Sequence, residues 1–221
     1  MLYINIHNHT KAKNDELSIE NRYNNFEQIT KEGRYSIDLH PWYISAFHWK
    51  NELRAMQQAS RIPSVLAIGE CGLDRQCSVS FTLQEEVFAA QVQWANAIGK
   101  PLIIHCVRAW DEVLSLLKKE KNSMPVVFHG YTKNAELAQR IIAAGYYLSF
   151  GKALQYQQAK SVIASVPADK ILLETDDSAF SIDAIYKLAA QALLIDNNSL
   201  SLRIQKNAAT FFGAAAFNYD N

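Results

Sequence analysis

Pro101-Leu-Ile-Ile-His105-Cys-Val-Arg108 decides how this chain folds. Proline opens the stretch, three bulky aliphatic residues follow, and a histidine closes them. A short apolar run bounded by polar residues reads as a strand buried on both faces. The same design recurs on either side. Val126-Val-Phe-His129 and Ile171-Leu-Leu-Glu174-Thr-Asp176 follow it, and Leu66-Ala-Ile-Gly-Glu70 precedes it. Earlier still come Ser36-Ile-Asp-Leu-His40-Pro41 and Tyr3-Ile-Asn-Ile-His7-Asn-His9. Five of the six histidines therefore fall where a predicted strand ends. Functional side chains at the carboxyl ends of several parallel strands are how a βα barrel builds an active site.

Apolar runs alternate with amphipathic segments along the whole chain, the pattern of a parallel α/β sheet. Strands are expected at residues 2–7, 35–40, 64–70, 101–106, 125–129, 146–150 and 170–175. Residues 10–33 are polar and weakly patterned, with Glu16-Leu-Ser-Ile-Glu-Asn-Arg22 as a short strand among them. That makes eight, so the expected fold is a distorted (β/α)8 TIM barrel with its site at the C-terminal strand ends. A helix over 82–98 places Leu83, Val87, Gln91, Trp94 and Ile98 on one face. Gly99 caps it and Pro101 stops it. Trp110, Val113, Leu114 and Leu117 form a second stripe, and Leu137, Ile141 and Ala144 a third. Ser181 and Ser199 are the expected N-caps of two final helices.

The 221 residues suit one domain, 1–221, and 49% hydrophobic residues can fill its core. The formal net charge is zero. That argues against a wide basic face for duplex nucleic acid and leaves room for a small phosphate pocket. Cys71, Cys77 and Cys106 are an odd number with no C-x-x-C pair, which suits free thiols in a cytoplasmic protein. No signal peptide and no apolar run of membrane-spanning length is expected. The oligomeric state is open, and a monomer is compatible with the sequence.

Imidazoles and carboxylates are the ligands of divalent transition metals. His7 and His9, two apart on an extended strand, point to one side and can reach one ion. Alone, such a pair also reads as two solvated loop histidines. Glu70 ends a buried run, so it must be paired or metal-bound. An ion pair with Arg75 or Arg108 is the plainer reading. Single histidines such as His105 and His129 are often core residues bonded to backbone. All of these together, with Asp176, make a metal site the better reading. Cys71 and Cys106 each follow a candidate ligand, and strand alternation turns them away as packing residues. Trp42, Tyr43 and Tyr131 either stack bases of a single strand or pack under loops.

The chain resembles the amidohydrolase-like metal barrels, and within them the TatD family of metal-dependent hydrolases and deoxyribonucleases. The motifs are His7-Asn-His9, Leu39-His40-Pro41, Ala67-Ile-Gly-Glu70-Cys-Gly-Leu-Asp74, the Gln84…Phe88…Gln91 helix and His105-Cys-Val-Arg108. Phe128-His129-Gly130-Tyr131, Leu148-Ser-Phe-Gly151, Glu174-Thr-Asp176 and Asn207…Phe211-Phe212 complete them. The resemblance implies a first metal on His7, His9, Glu70 and Asp176, and a second on Glu70, His105 and His129, with Glu70 bridging. It implies a hydroxide between two divalent ions attacking phosphorus, with Asp176 as general base. His40 would contact phosphate or leaving group, Glu174 would orient a ligand, and Arg75 and Arg108 would bind substrate phosphate. Histidine-rich ligation favours Zn, Mn, Fe, Co or Ni, and the family also admits Mg.

Three positions depart from the family pattern. Asn5 stands where the family usually has Asp, and Asp38 where it has Gly. Asp177-Ser178-Ala179 runs almost directly into a helix where the family has a longer loop. The expected function is a deoxyribonuclease cleaving phosphodiesters of single-stranded DNA, bound weakly. The enzymatic alternative is a metal-dependent hydrolase of a small amide, ester or phosphoester, because one metal pair serves both. A binding protein that has lost catalysis is the third reading, disfavoured by the complete ligand set.

Overall fold

The computed structural model describes residues 1–9 and 16–217. The fold is the expected α/β barrel, with eight strands following one another in chain order in a single sheet. The strands are β1 (Tyr3–Asn8), β2 (Glu16–Arg22), β3 (Tyr35–Ile37), β4 (Val65–Asp74), β5 (Leu102–Val107), β6 (Val126–Phe128), β7 (Tyr147–Phe150) and β8 (Ile171–Leu173). The helices are α1 (Trp49–Ala59), α2 (Phe81–Ile98), α3 (Trp110–Lys119), α4 (Ala135–Ala143), α5 (Gln157–Ser165), α6 (Ile182–Leu193) and α7 (Asn197–Phe212). Between β2 and β3 there is only a 3₁₀ turn, Phe26–Gln28. Of the weakly patterned stretch 10–33, residues 10–15 lie outside the described residues. Among the described residues, no helix is long and apolar enough to cross a membrane.

The chain divides into two compact units, residues 1–20 with 127–221 and residues 21–126. In the first, β1 pairs in parallel with β2, and β7 with both β6 and β8. The exit of β8 reaches back to β1: Asp176 N–H donates to the His7 carbonyl at 3.0 Å. Ile4, Ile6, Leu148, Phe150 and Leu172 are buried. The Tyr186 hydroxyl from α6 bonds both the N–H and the carbonyl of Ile4, which fixes that helix on β1. Asn207 from α7 donates to the carbonyls of Ala168 and Ile171 at 2.8 Å, which explains a buried amide in an otherwise apolar helix face.

In the second unit β3, β4 and β5 pair in parallel. Gly72 lies opposite His105 with φ +148°, and a Cβ there would meet the His105 carbonyl oxygen at 1.9 Å. Only glycine lets β4 pass so close. The buried face of α2 is Gln84, Val87, Phe88, Gln91, Val92 and Ala95. It is therefore rotated from the expected one: Leu83, Trp94 and Ile98 are only half-buried. The two glutamines set the rotation. Gln84 bonds both backbone groups of Asp74, and Gln91 both backbone groups of Leu39. Val87, Phe88 and Val92 are fully buried, each contributing about 1.5–3 kcal/mol. Gly99 caps α2 in the left-handed conformation, as expected.

Two helix-start expectations are corrected in part. Ser181 occupies the N-cap position of α6 but makes no capping bond, since its hydroxyl bonds Asp183. Asp196, not Ser199, caps α7, its carboxylate accepting the Ser199 N–H at 2.9 Å. A carboxylate reaches the helix amides from one turn earlier and adds charge complementarity.

Candidate metal centre

The strand-end side chains of residues 1–20 and 127–221 converge on Asp176. His7 Nε2 lies 3.6 Å and His9 Nε2 3.4 Å from Asp176 Oδ1. The His7 ring stands against His9 at 5.0 Å and against His129 at 4.6 Å between centroids. Alternation along β1 sends His7 and His9 to one side, and the register of β8 brings Asp176 beside them. Asp176 takes φ +54°, a left-handed turn at the strand exit that aims its carboxylate inward. Burial would raise its pKa, but hydrogen bonds from His7 and His9 and the charge of His129 hold it well below the usual carboxylate range.

Glu174 is buried beside this group. Its Oε1 accepts the Gly130 N–H at 2.7 Å and lies 3.3 Å from His129 Nδ1. Its Oε2 is buried with no hydrogen-bond partner among the described residues. A carboxylate that anchors one histidine nitrogen leaves the other ring nitrogen to face the cavity. One ligand atom from each of His129, Glu174 and Asp176 lies within 4.8 Å of the others.

Residues 21–126 supply a second convergent group. His105 Nδ1 lies 2.7 Å from Glu70 Oε1, and its Nε2 3.0 Å from Asp74 Oδ2. His40 Nε2 lies 3.5 Å from the same Glu70 oxygen. Ligand atoms of His40, Glu70 and His105 fall within 4.8 Å of one another. The Trp42 N–H faces His40 Nδ1 at 3.2 Å, which leaves Nε2 as the nitrogen turned to Glu70.

Asp74 had no expected role, yet it organises this group. Its Oδ2 accepts from Trp42 Nε1 at 2.6 Å as well as from His105, and its Oδ1 accepts the Gln76 N–H at 2.7 Å. Burial would raise its pKa, but the donors Trp42, His105 and Gln76 outweigh that and lower it. With a divalent ion between Nδ1 and Glu70, a proton held on His105 Nε2 by Asp74 would leave Nδ1 as the ligating nitrogen. The signal was present as Glu70 and Asp74 four apart on one strand, but the pairing with His105 depends on register.

The departures from the family pattern find local reasons. Asn5 donates to Thr175 Oγ1 at 2.8 Å and accepts the Thr175 N–H at 3.0 Å, a two-bond clasp between β1 and the Glu-Thr-Asp turn. Asp38 is buried and accepts from Asn21 at 3.1 Å, so its charge is not displayed at an open rim. Cys71 is buried against the carbonyls of Ile68 and Ile103, and burial raises its pKa. Arg75 pairs with Glu112 and lies 4.0 Å over the Phe81 ring. Arg108 is exposed, in the left-handed conformation at φ +52°. Tyr131 is buried, its hydroxyl donating to the Asn134 carbonyl, which suits packing rather than stacking with a ligand.

Residues 5–186 match the family model of TatD related DNases. The chain belongs to that family. A Bacillus subtilis protein named an uncharacterized metal-dependent hydrolase, YabD, is 34% identical over 132 residues, covering 58% of this chain and 52% of the relative. The TatD protein of Edwardsiella piscicida, named a 3'-5' ssDNA/RNA exonuclease, is 29% identical over 150 residues, 65% of this chain and 55% of the relative. The chain thus spans about half the length of the curated relatives it matches. The crystal structure of YjjV, a TatD homologue from Escherichia coli, superposes with TM-score 0.81 at 20% identity, covering 95% of this chain and 97% of that one. That likeness carries the barrel fold. The TatD family membership and the two clusters agree that these side chains are of the kind and placement that can hold metal.

Proposed function

We propose that this chain is a divalent-metal-dependent phosphodiesterase that cleaves single-stranded DNA. The observation that carries the reading is the convergence of imidazole and carboxylate ligand atoms from the C-terminal halves of strands and the residues just beyond them, in a chain of the TatD family. The donor set fits a divalent cation, because ligand atoms of imidazoles and carboxylates, most of them buried or half-buried, converge within 4.8 Å and imidazole–carboxylate ligation suits Zn, Mn, Fe, Co or Ni, with Mg also admitted. His7, His9, Glu70 and Asp176 would hold one ion, and Glu70, His105 and His129 a second, with Glu70 common to both. Bound divalent ions lower the pKa of water and polarise a phosphate oxygen.

The protein's own groups complete the chemistry. Asp176, kept ionised by its histidine neighbours, is the proton acceptor for the attacking water. His40 presents Nε2 toward Glu70 and is placed to donate to a phosphate or leaving-group oxygen. Asp74 fixes the His105 tautomer and Glu174 the His129 ring. Arg108, exposed, is the better phosphate contact of the two arginines, since Arg75 is engaged by Glu112. Zero net charge limits phosphate contacts to few and keeps binding weak. The same neutrality favours the second reading, hydrolysis of a small amide, ester or phosphoester.

The test is an end-labelled single strand alongside a panel of small esters, amides and phosphoesters, each with and without added divalent ions. Metal-dependent shortening of the strand is expected. Turnover of a panel compound with the strand intact would overturn the nuclease reading.

A further inference from the structure

Beside His40, wholly within residues 21–126, lies a pocket of about 550 Å³. That size falls in the range of about 300–1,000 Å³ for small-molecule sites. Tyr23, Phe26 and Tyr43 supply aromatic walls, and Asn25 and Glu52 supply polar ones. Tyr23 and Tyr43 are already stacked, with centroids 4.6 Å apart and planes 24° apart. Tyr43 is nevertheless 56% exposed, so the stack presents ring surface to solvent. His40 closes the pocket at 5.5 Å from the Tyr43 ring, and its Nε2 faces Glu70.

The charge of the lining selects the occupant. No Lys or Arg lines the pocket, and its one acidic side chain is Glu52. A phosphate would meet a carboxylate and no cation, so the pocket rejects the backbone of a nucleic acid. A flat neutral ring with N–H donors on its edge suits it. Glu52 is exposed on the first turn of α1, and among the described residues no side-chain partner takes its carboxylate. A carboxylate only accepts, and it accepts best from two parallel donors. Of the four DNA bases, guanine alone has two adjacent N–H donors on its pairing edge. A base that adds to a stack already formed also orders fewer side chains on binding.

We propose that this pocket is a base subsite that takes one unpaired nucleobase of the strand, guanine by preference, next to the nucleotide whose phosphate reaches His40 and Glu70. The proposal rests on the nuclease reading and adds to it a sequence preference at one position.

The test separates the two. Guanosine, cytidine and thymidine have no phosphodiester to cut, so their binding to the full chain with its metals reads the pocket alone. Calorimetry should rank guanosine first. Tyr43→Ala should weaken guanosine by roughly 5- to 150-fold, the range for losing one stacked base, while Tyr43→Phe should bind as the unaltered chain does. Glu52→Gln should reduce the guanosine preference by about tenfold or more, the scale of one hydrogen bond to a charged group. Equal affinity for the three nucleosides, or guanosine binding untouched by Tyr43→Ala, would overturn the proposal. In the second arm, a strand with guanine at each position in turn is compared with one abasic there. One position should raise kcat/KM when guanine fills it, and uniform cleavage would overturn the strand-bound base. Nucleoside binding as predicted with no strand cleaved would keep the pocket's base preference and remove the nuclease reading.

Discussion

Replacing Asp74 by Asn tests how the centre is held together. The residue is 2% exposed and its two oxygens accept from Trp42 Nε1, His105 Nε2 and the backbone N–H of Gln76. An amide keeps one oxygen. If that oxygen stays with Gln76, the new NH₂ faces the N–H of Trp42, which has no alternative tautomer and loses its acceptor. A hydrogen bond to a charged group is worth about 1.5–3 kcal/mol, so a stability loss of that size is expected. His105 can escape the clash by moving its proton from Nε2 to Nδ1. That fixes an N–H toward Glu70 and would leave no lone pair there for a metal ion. Loss of such a ligand-orienting partner lowers metal affinity by about 10- to 100-fold. Denaturant titration in chelator measures the first effect, and competitive metal titration the second. Nitrogen NMR of the His105 ring reads the tautomer. Trp42→Phe is the control: it removes one donor, leaves Asp74 charged, and should leave the tautomer and the metal affinity unchanged. Wild-type metal affinity in the Asp74→Asn chain, with Nε2 still protonated, would refute the orienting role.

Asp176→Asn should lower turnover of a single strand by at least about 10²-fold, because an amide takes no proton, and single-turnover assays check it. His105→Ala and His129→Ala should each lose bound metal while circular dichroism stays native, since His129 lies just past β6 and His105 in the last half of β5; full metal content in either would remove it from the ligand set. Arg108→Ala should reduce the salt dependence of single-strand binding by about 0.7 in log–log slope and Arg75→Ala by less, because Glu112 already neutralises Arg75. Burial lowers the Lys100 pKa from 10.5 to about 8, so the unfolded chain binds more protons between those values. Stability relative to Lys100→Met should therefore rise as pH climbs through that window, and a flat difference in melting curves would contradict it.

Most of the strand framework was readable because buried parallel strands are short apolar runs with polar ends. Even β2, Glu16–Arg22, lay where its weak pattern put it. The end of β4 was not readable. A carboxylate at Glu70 looks like a strand end, yet Gly72 and Leu73 continue pairing with β5 up to Asp74. That extension hides the role of Asp74 from the sequence, for its contact with His105 exists only once two strands are set in register. The helix α1 gave no clear stripe, since it buries only Trp49, Met56 and Ala59. The partner of Arg75 is Glu112, 37 residues away, and spacing alone does not find such a pair. The candidate ligands are proposed on the opposite kind of signal. Each is local, a polar group that ends a run of apolar ones, and barrel topology brings strand ends to one face.

The most direct test is hydrolysis of a labelled single strand by the chelator-stripped full chain as divalent metal is returned in measured equivalents. No strand should be cut before metal is added. Hydrolysis should climb as the second equivalent binds, and Glu70→Gln, which removes a carboxylate proposed to serve both ions, should abolish it. Full activity without metal, or hydrolysis unchanged in Glu70→Gln, would contradict the two-metal account.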